Sequence, residues 1–464
     1  METDYLIVGA GAVGLAFADT LLDETDAYIT IVDRHGKPGG HWNDAYSFVS
    51  LHQPSAFYGV NSLPLGGDRI DQKGVNQGLY ELASGPDVSG YFENVMKHRL
   101  LASGRVSYFP MSNYLGERRF VSLLSGKETY LQIRKKTVDA TYFGTTVPST
   151  HKPQFAVDAG VDFVPVNELP SLWKRSPGMP KHYVIIGAGK TGMDAACWLL
   201  SSGADPDSIS WIMPRDSWLL NRRKTQPGMN FFEETIAGQA DMMEACALAA
   251  DVDDLFLRLE DCGIMLRIDP NVRPTVHRYA TVSTGEVAQL ARIKRVIRKG
   301  RVSSIAPAKT VLEGGEVTFP ESTLFIDCSA TAVEDRPPVP VFQGDLIVPQ
   351  MIRIPQPTFS AALVAYVEAN YEDDATKNGL CGPVPLPRTL ELYPGAVLGN
   401  MMNQLAWSRD PGLRDWIRES RLDGFGKVIA GVDPADEARV AILRKLRSFA
   451  MPAAANLTKL IPPS

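Results

Sequence analysis

The chain has 464 residues, 44% of them hydrophobic and 22% charged, a balance that excludes collagen-like, disordered and coiled-coil architectures. At roughly 100 to 200 residues per domain, this length predicts two to four domains and room to enclose a large cofactor. Forty-seven basic against fifty-three acidic residues leave a net charge of −6, so no global positive field attracts a nucleic acid and none is expected as a partner.

Tyr5-Leu6-Ile7-Val8 predicts a buried strand that enters Gly9-Ala10-Gly11-Ala12-Val13-Gly14, followed by a helix from Leu15 to Leu22 and a second strand from Tyr28 to Val32, ending at Asp33. Met1 to Asp4 carries no basic leader and no window approaches 18 consecutive apolar residues, so a cytoplasmic protein with no membrane partner is expected. Residues 36 to 90 form a Gly/Pro-rich loop region, Val88 to Leu101 a helix, 105 to 140 a strand-like alternation, and Pro165 to Pro180 a linker. The opening order then returns, with the strand Tyr183-Val184-Ile185-Ile186, the loop Gly187-Ala188-Gly189-Lys190-Thr191-Gly192, a helix from Met193 to Leu200 and a strand from Ile209 to Met213. Residues 228 to 262 have helical periodicity and many acidic side chains; they are either a solvated insertion with its methionines packed inward or a substrate lid. Leu324 to Cys328 reads as a buried strand, Phe359 to Ala369 as a helix, and the tail from about 410 as helical and charged, ending in a poorly specified segment, Pro452 to Ser464.

In a glycine loop of this kind the first glycine permits the tight turn, the second lets the backbone approach a pyrophosphate, and the third lets helix and strand pack closely. The helix N-terminus then offers free N–H donors. Gly9, Gly11, Ala12, Val13 and Gly14, and Gly187, Gly189, Lys190, Thr191 and Gly192, are therefore candidate dinucleotide contacts. Asp33, with Arg34 beside it, is an acceptor placed for both hydroxyls of an unphosphorylated ribose, as in FAD or NAD. The second copy has Arg215 in that region, a bidentate partner for the 2′-phosphate of NADP, with Arg222, Arg223 and Lys224 adding to a basic patch. A P-loop is excluded, because the glycine it needs five positions before Gly189-Lys190 is Val184. The five cysteines include no C-x-x-C and the seven histidines no i, i+4 pair, so neither a dithiol centre nor a metal site is expected.

Gly39-Gly40-His41-Trp42 resembles the G-G-x-W segment of class B flavoprotein monooxygenases. Gly187 to Ala196 is similar to that family's second motif, G-x-G-x-S-G-x-D-x-A, with threonine for serine, and Phe325 to Thr331 loosely resembles its segment ending in A-T-G. The resemblance covers most of the chain. It implies an α/β fold of two Rossmann-like dinucleotide-binding domains with three-layer ββα/βαβ architecture. FAD would occupy a discontinuous domain, 1–165 and 320–464, and NADPH a domain inserted at 166–319 that carries the helical insertion 228–262. It further implies O2 and a small organic substrate as partners, with reduced flavin forming a C4a-(hydro)peroxide.

On the same resemblance Gly40, His41 and Trp42 adjoin FAD. Ser50 to Pro54 resembles the segment that presents an amide to the flavin peroxide, which makes Gln53 the match and His52 a proton donor. The alternative is that both merely satisfy backbone groups in a long loop. Thr358 or Ser360 would cap a helix facing the flavin, or cap it with no ligand near. One departure stands out: in place of F-x-G-x-x-x-H the chain has Phe143-Gly144 and, later, His151. That leaves Baeyer–Villiger and N-oxygenation chemistry unsupported and His151 either in the interdomain linker or on a surface loop. Three readings stay open, a monooxygenase, an NADPH:acceptor reductase, and a non-catalytic dinucleotide-responsive binding protein.

Overall fold

In the first unit, strand β1 (Glu2–Val8) leads through the glycine loop into helix α1 (Ala12–Glu24) and strand β2 (Ile29–Val32). β2, Ile-Thr-Ile-Val, is buried at every position, Thr30 included, so both of its faces lie inside the unit. Helix α2 (Gly85–Asn94) starts from a capping box between Ser84 and Asp87 and continues as a wider π turn over Val95–Leu100. Strand β3 (Val106–Phe109), a three-stranded antiparallel sheet within 112–130, and strand β4 (Gln132–Asp139) follow. The main sheet runs parallel in the order β3-β2-β1-β4, and a hairpin within 342–347 joins the far side of β4. The computed structural model describes residues 1–174, 179–307, 309–331, 333–334 and 336–462.

The second unit repeats this with β5 (His182–Ile186), α3 (Lys190–Ser201) and β6 (Ile209–Ile212). Strand β7 (Ser217–Asn221), helices α4 (Phe232–Leu248) and α5 (Val252–Asp261), strand β8 (Val276–Val282), helix α6 (Thr284–Leu290) and strand β9 (Thr323–Asp327) come next. Its sheet is parallel throughout, in the order Arg295–Ile297, β6, β5, β9, Phe163–Pro165. Phe163–Pro165 and β9 both pair inside this sheet, so the second unit begins earlier and ends later than the expected limits of 166 and 319. The expected linker is likewise part of its core. Val166, Leu169 and Leu172 are buried in 3-10 turns over Val166–Lys174, where the tighter winding accommodates Pro170; residues 175–178 lie outside the described residues.

Helix α7 (Pro357–Asn370) is buried along most of its length and packs on α1. Helices α8 (Tyr393–Arg409) and α9 (Glu437–Leu460) follow, with shorter helices before and between them. α9 lies on α4, where Leu446, Phe449, Ala453 and Leu457 meet Met243, Cys246 and Leu255 in one apolar cluster. Two expectations change here. The C-terminal part packs on the helical insertion instead of belonging wholly with the first unit. The segment from Pro452 onward is helical to Leu460, because packing along α4 outweighs the one hydrogen bond that proline forfeits. Among the described residues no helix is long and apolar enough to cross a membrane.

Candidate functional site

A cleft of about 1840 Å³ is lined by both glycine loops, with Gly9, Gly11, Ala12 and Val13 on one side and Gly187, Gly189, Lys190 and Thr191 on the other. Helix α1 starts from Gly11 and α3 from Gly189, each in extended backbone, and neither helix has a side-chain cap. The N–H groups of both first turns are thus left for an anion. Gly9 and Gly187 turn the chain at φ +103° and +122°, a region that favours glycine. Gly14 and Gly192 stand behind the cleft wall. A Cβ on either would run into the carbonyl oxygen of Gly9 or Gly187, so each is fixed by the approach of helix to strand.

At one end Asp33 is buried, with Oδ2 accepting from the Ala10 N–H at 2.6 Å and Oδ1 from the His35 N–H at 2.7 Å and its Nδ1 at 2.9 Å. Burial pushes the carboxyl up, but the bonds from His35 and Ala10 outweigh it and hold the group below its usual value. His35 reaches Asp44 through Nε2 at 2.8 Å, and its pKa is raised, first by the bond to Asp33. Arg34 lies exposed on the cleft edge. A Cβ on Gly40 would be 3.0 Å from Gly11 Cα, so the Gly-Gly-His-Trp segment lies directly on the first glycine loop. His41 stacks on Trp42, whose Nε1 donates to the Tyr58 hydroxyl at 2.8 Å. Burial lowers His41 to about 4, which keeps its ring neutral.

At the second unit's end, Arg215 lines the cleft together with Arg278 and Arg301. The last two were missed in the sequence because nothing local marks them. A register irregularity where β8 passes β7 brings Arg278 to the wall. Its pKa is lowered by burial and by repulsion from Arg215, Arg301 and Arg388. Among the described residues no carboxylate comes within 4.0 Å of the guanidinium groups of Arg215, Arg278 or Arg301.

The basic patch expected from Arg222, Arg223 and Lys224 does not form there. Arg223 pairs with Glu234 at 3.4 Å, and the Lys224 stem packs beside Gly238. Arg222 is fully buried, donating to the His52 carbonyl at 2.7 Å, Asn76 Oδ1 at 3.2 Å, Glu286 Oε2 at 2.6 Å and the Thr281 carbonyl at 3.1 Å. The turn after β7 directs its side chain inward, between the two units.

His52 and Gln53 both line the cleft. Their side chains make no hydrogen bond within the chain among the described residues, so they do not serve the loop's backbone. Burial, then the charges of Lys190 and Arg222, pull the His52 imidazole well below its usual pKa, with Glu286 opposing. Lys190 also lines the cleft, but its ammonium pairs with Asp194 and, at 3.3 Å, with Glu286. The other oxygen of Asp194 accepts from the Tyr46 hydroxyl at 2.7 Å.

Thr358 neither caps α7 nor lines the cleft. Gln356 is the N-cap of α7, and the buried Thr358 hydroxyl is 3.3 Å from the Phe57 carbonyl it donates to, while Ser360 donates back to Gln356 at 2.8 Å. Pro355 and Pro357, not Thr358, line the cleft. His151 is on the cleft wall too, 3.3 Å from Ser329 Oγ, a placement that required the fold to bring residues 178 positions apart together.

Residues 7–62 match the model of the NAD(P)-binding Rossmann-like domain. The chain is 45% identical over 461 residues to the uncharacterized proteins Rv2000 of Mycobacterium tuberculosis and Mb2023 of Mycobacterium bovis, covering 99% of this chain and 85% of each relative. Among solved structures it resembles a polycyclic ketone monooxygenase from the fungus Thermothelomyces thermophila, at a TM-score of 0.50 and 12% identity, covering 99% of this chain and 89% of that one. A flavin-containing monooxygenase from Stenotrophomonas maltophilia aligns at a TM-score of 0.45 and 14% identity, over 79% of this chain and 97% of that one. The chain belongs to the family of the two mycobacterial proteins and is similar in fold to the polycyclic ketone monooxygenase.

Proposed function

We propose that the chain is an FAD- and NADPH-dependent oxidoreductase of the cytoplasm, a monooxygenase that transfers one atom of O2 to a small organic substrate while the other leaves as water. FAD belongs to the first unit and NADPH to the second. The observation that carries this reading is a cleft with an uncapped helix N-terminus from each unit, one rimmed by a buried carboxylate and the other by three arginines that, among the described residues, have no acidic partner. Five free cysteines fit a reducing compartment.

The residues fit both cofactors. The first turn of α1 would hold the FAD pyrophosphate and Asp33 the ribose hydroxyls, since each carboxylate oxygen accepts more than one bond. The first turn of α3 would hold the NADPH pyrophosphate, and Arg215, Arg278 and Arg301 the 2′-phosphate. Bound FAD would supply the two-electron carrier and the reaction with O2. The chain's own part is to orient and to manage protons. His52 stays neutral across the working pH range, so one ring nitrogen donates while the other accepts, and the Gln53 amide donates without bringing in a base. His41 and Trp42, stacked and largely shielded, limit water at the glycine loop.

The test is to reduce FAD-loaded protein with NADPH, admit O2 and a panel of small substrates, and compare organic product with NADPH consumed. Product in proportion to NADPH supports monooxygenation. Hydrogen peroxide alone, or fast reduction of a quinone, identifies an acceptor reductase, and failure to bind FAD overturns both. For Arg215→Ala, loss of a charged phosphate bond should raise the KM for NADPH about tenfold to a hundredfold while leaving that for NADH within about threefold. Equal effects on the two coenzymes would remove Arg215 from the 2′-phosphate site.

A further inference from the structure

Residues 46 to 80 of the first unit, which contain His52 and Gln53, are tied to the second unit at separate points. Tyr46 donates to Asp194 at 2.7 Å, the His52 carbonyl and Asn76 accept from Arg222, the Val75 carbonyl accepts from Ser283 Oγ at 2.5 Å, and the Tyr80 N–H donates to Gln226 Oε1 at 2.8 Å. Arg222 is the only one of these partners whose side chain carries a positive charge, and it is fully buried. Glu286 balances it and, through its second oxygen, also pairs with Lys190, the first residue of α3. Lys190 and Arg222 against Asp194 and Glu286 make an electrically balanced cluster. A buried ion cluster is a poor way to gain stability alone, since apolar residues of like volume do as well or better. What it does provide is one permitted geometry, because each lost partner leaves a buried charge exposed to no solvent.

Resting on the proposed function, we propose that Arg222 is a positioning residue of the reaction: it fixes the backbone at His52, and hence the His52 imidazole and Gln53 amide, relative to the phosphate-binding end of α3. The unit that seats NADPH thereby sets the place of the two side chains that face the other cofactor. Lysine at 222 would retain the charge beside Glu286 but could not span His52, Asn76 and Thr281 together.

The experiment compares wild type with Arg222→Lys and, as a milder change that keeps every charge, Asn76→Ala. In protein without added cofactor, hydrogen exchange at the amides of Leu51, Ser55 and Phe57 should quicken at least about tenfold in Arg222→Lys and less in Asn76→Ala, with β1 and α1 unchanged. In turnover with FAD, NADPH and O2, the KM for NADPH should stay within about threefold, while product per NADPH falls at least about fivefold and hydrogen peroxide rises. Unchanged exchange in both variants overturns the positioning. Changed exchange with unchanged product yield overturns its role in the reaction. A wild type that forms no product refutes the proposed function instead, and the exchange result then decides the positioning by itself.

Discussion

Gly14→Val is expected to abolish dinucleotide binding by the first unit and to destabilise that unit by about 3 kcal/mol or more, beyond the usual range for an overpacked site. The new Cβ runs into the Gly9 carbonyl oxygen. That carbonyl cannot retreat, because the Gly9 N–H is held by the Val32 carbonyl at 2.8 Å and the residue sits at φ +103°. Moving α1 away would open the apolar contact with α7 and misplace the first-turn N–H groups. The measurement is the urea midpoint of the purified variant beside FAD titration. Gly90→Ala is the control, a glycine inside α2 with nothing within 4 Å of an added Cβ, where alanine should be neutral or stabilising by up to about 1 kcal/mol. A Gly14→Val protein as stable as wild type would mean that helix and strand are not in this register.

Glu286→Gln should cost about 3 kcal/mol at pH 7, with the cost vanishing in acid. Burial pushes the Glu286 carboxyl up, but Lys190 and Arg222 outweigh it and bring the group down to about 2 from an ordinary value of 4.5. A depressed pKa means that the folded state prefers the charged form. The contribution is therefore fully present above pH 4.5 and is lost as pH falls towards 2. The variant lacks that contribution from the start and leaves two buried cations with one carboxylate fewer. Urea unfolding of both proteins from pH 7 to pH 2.5 checks this, and a stability difference that stays constant over that range would contradict it.

Both dinucleotide units were legible because their signals are local. A buried strand, a glycine at each turn and an apolar helix face need no distant partner to be recognised, and Asp33 and Arg215 stand just after the second strand of their units. His52 and Gln53, which line the cleft, were singled out only by resemblance. What escaped depends on residues far apart in the chain. Arg278 and Arg301 reach the cleft through a register irregularity and a separate turn, and His151 meets Ser329 only after both units have folded. Arg222 was misread for the opposite reason. Its neighbours Arg223 and Lys224 made it look like part of a surface run, whereas its partners, His52, Asn76, Thr281 and Glu286, come from four other places. Thr358 was misread because the helix begins two residues earlier than expected, at Pro357, which displaces the cap to Gln356.

The contact of α9 with α4 places an order on the life of the chain. Asn456 donates to the carbonyls of Cys246 at 2.9 Å and Ala249 at 2.8 Å, and Lys445 reaches Asp241 at 2.7 Å. At about 5 to 20 residues per second, a ribosome takes roughly 10 to 40 s to proceed from α4 to the helix that covers it. Throughout that interval the apolar flank around Met243 and Cys246 emerges without its lid. The nascent protein is most open to aggregation then, and fragments that stop before residue 437 should be insoluble even though both glycine loops are already made.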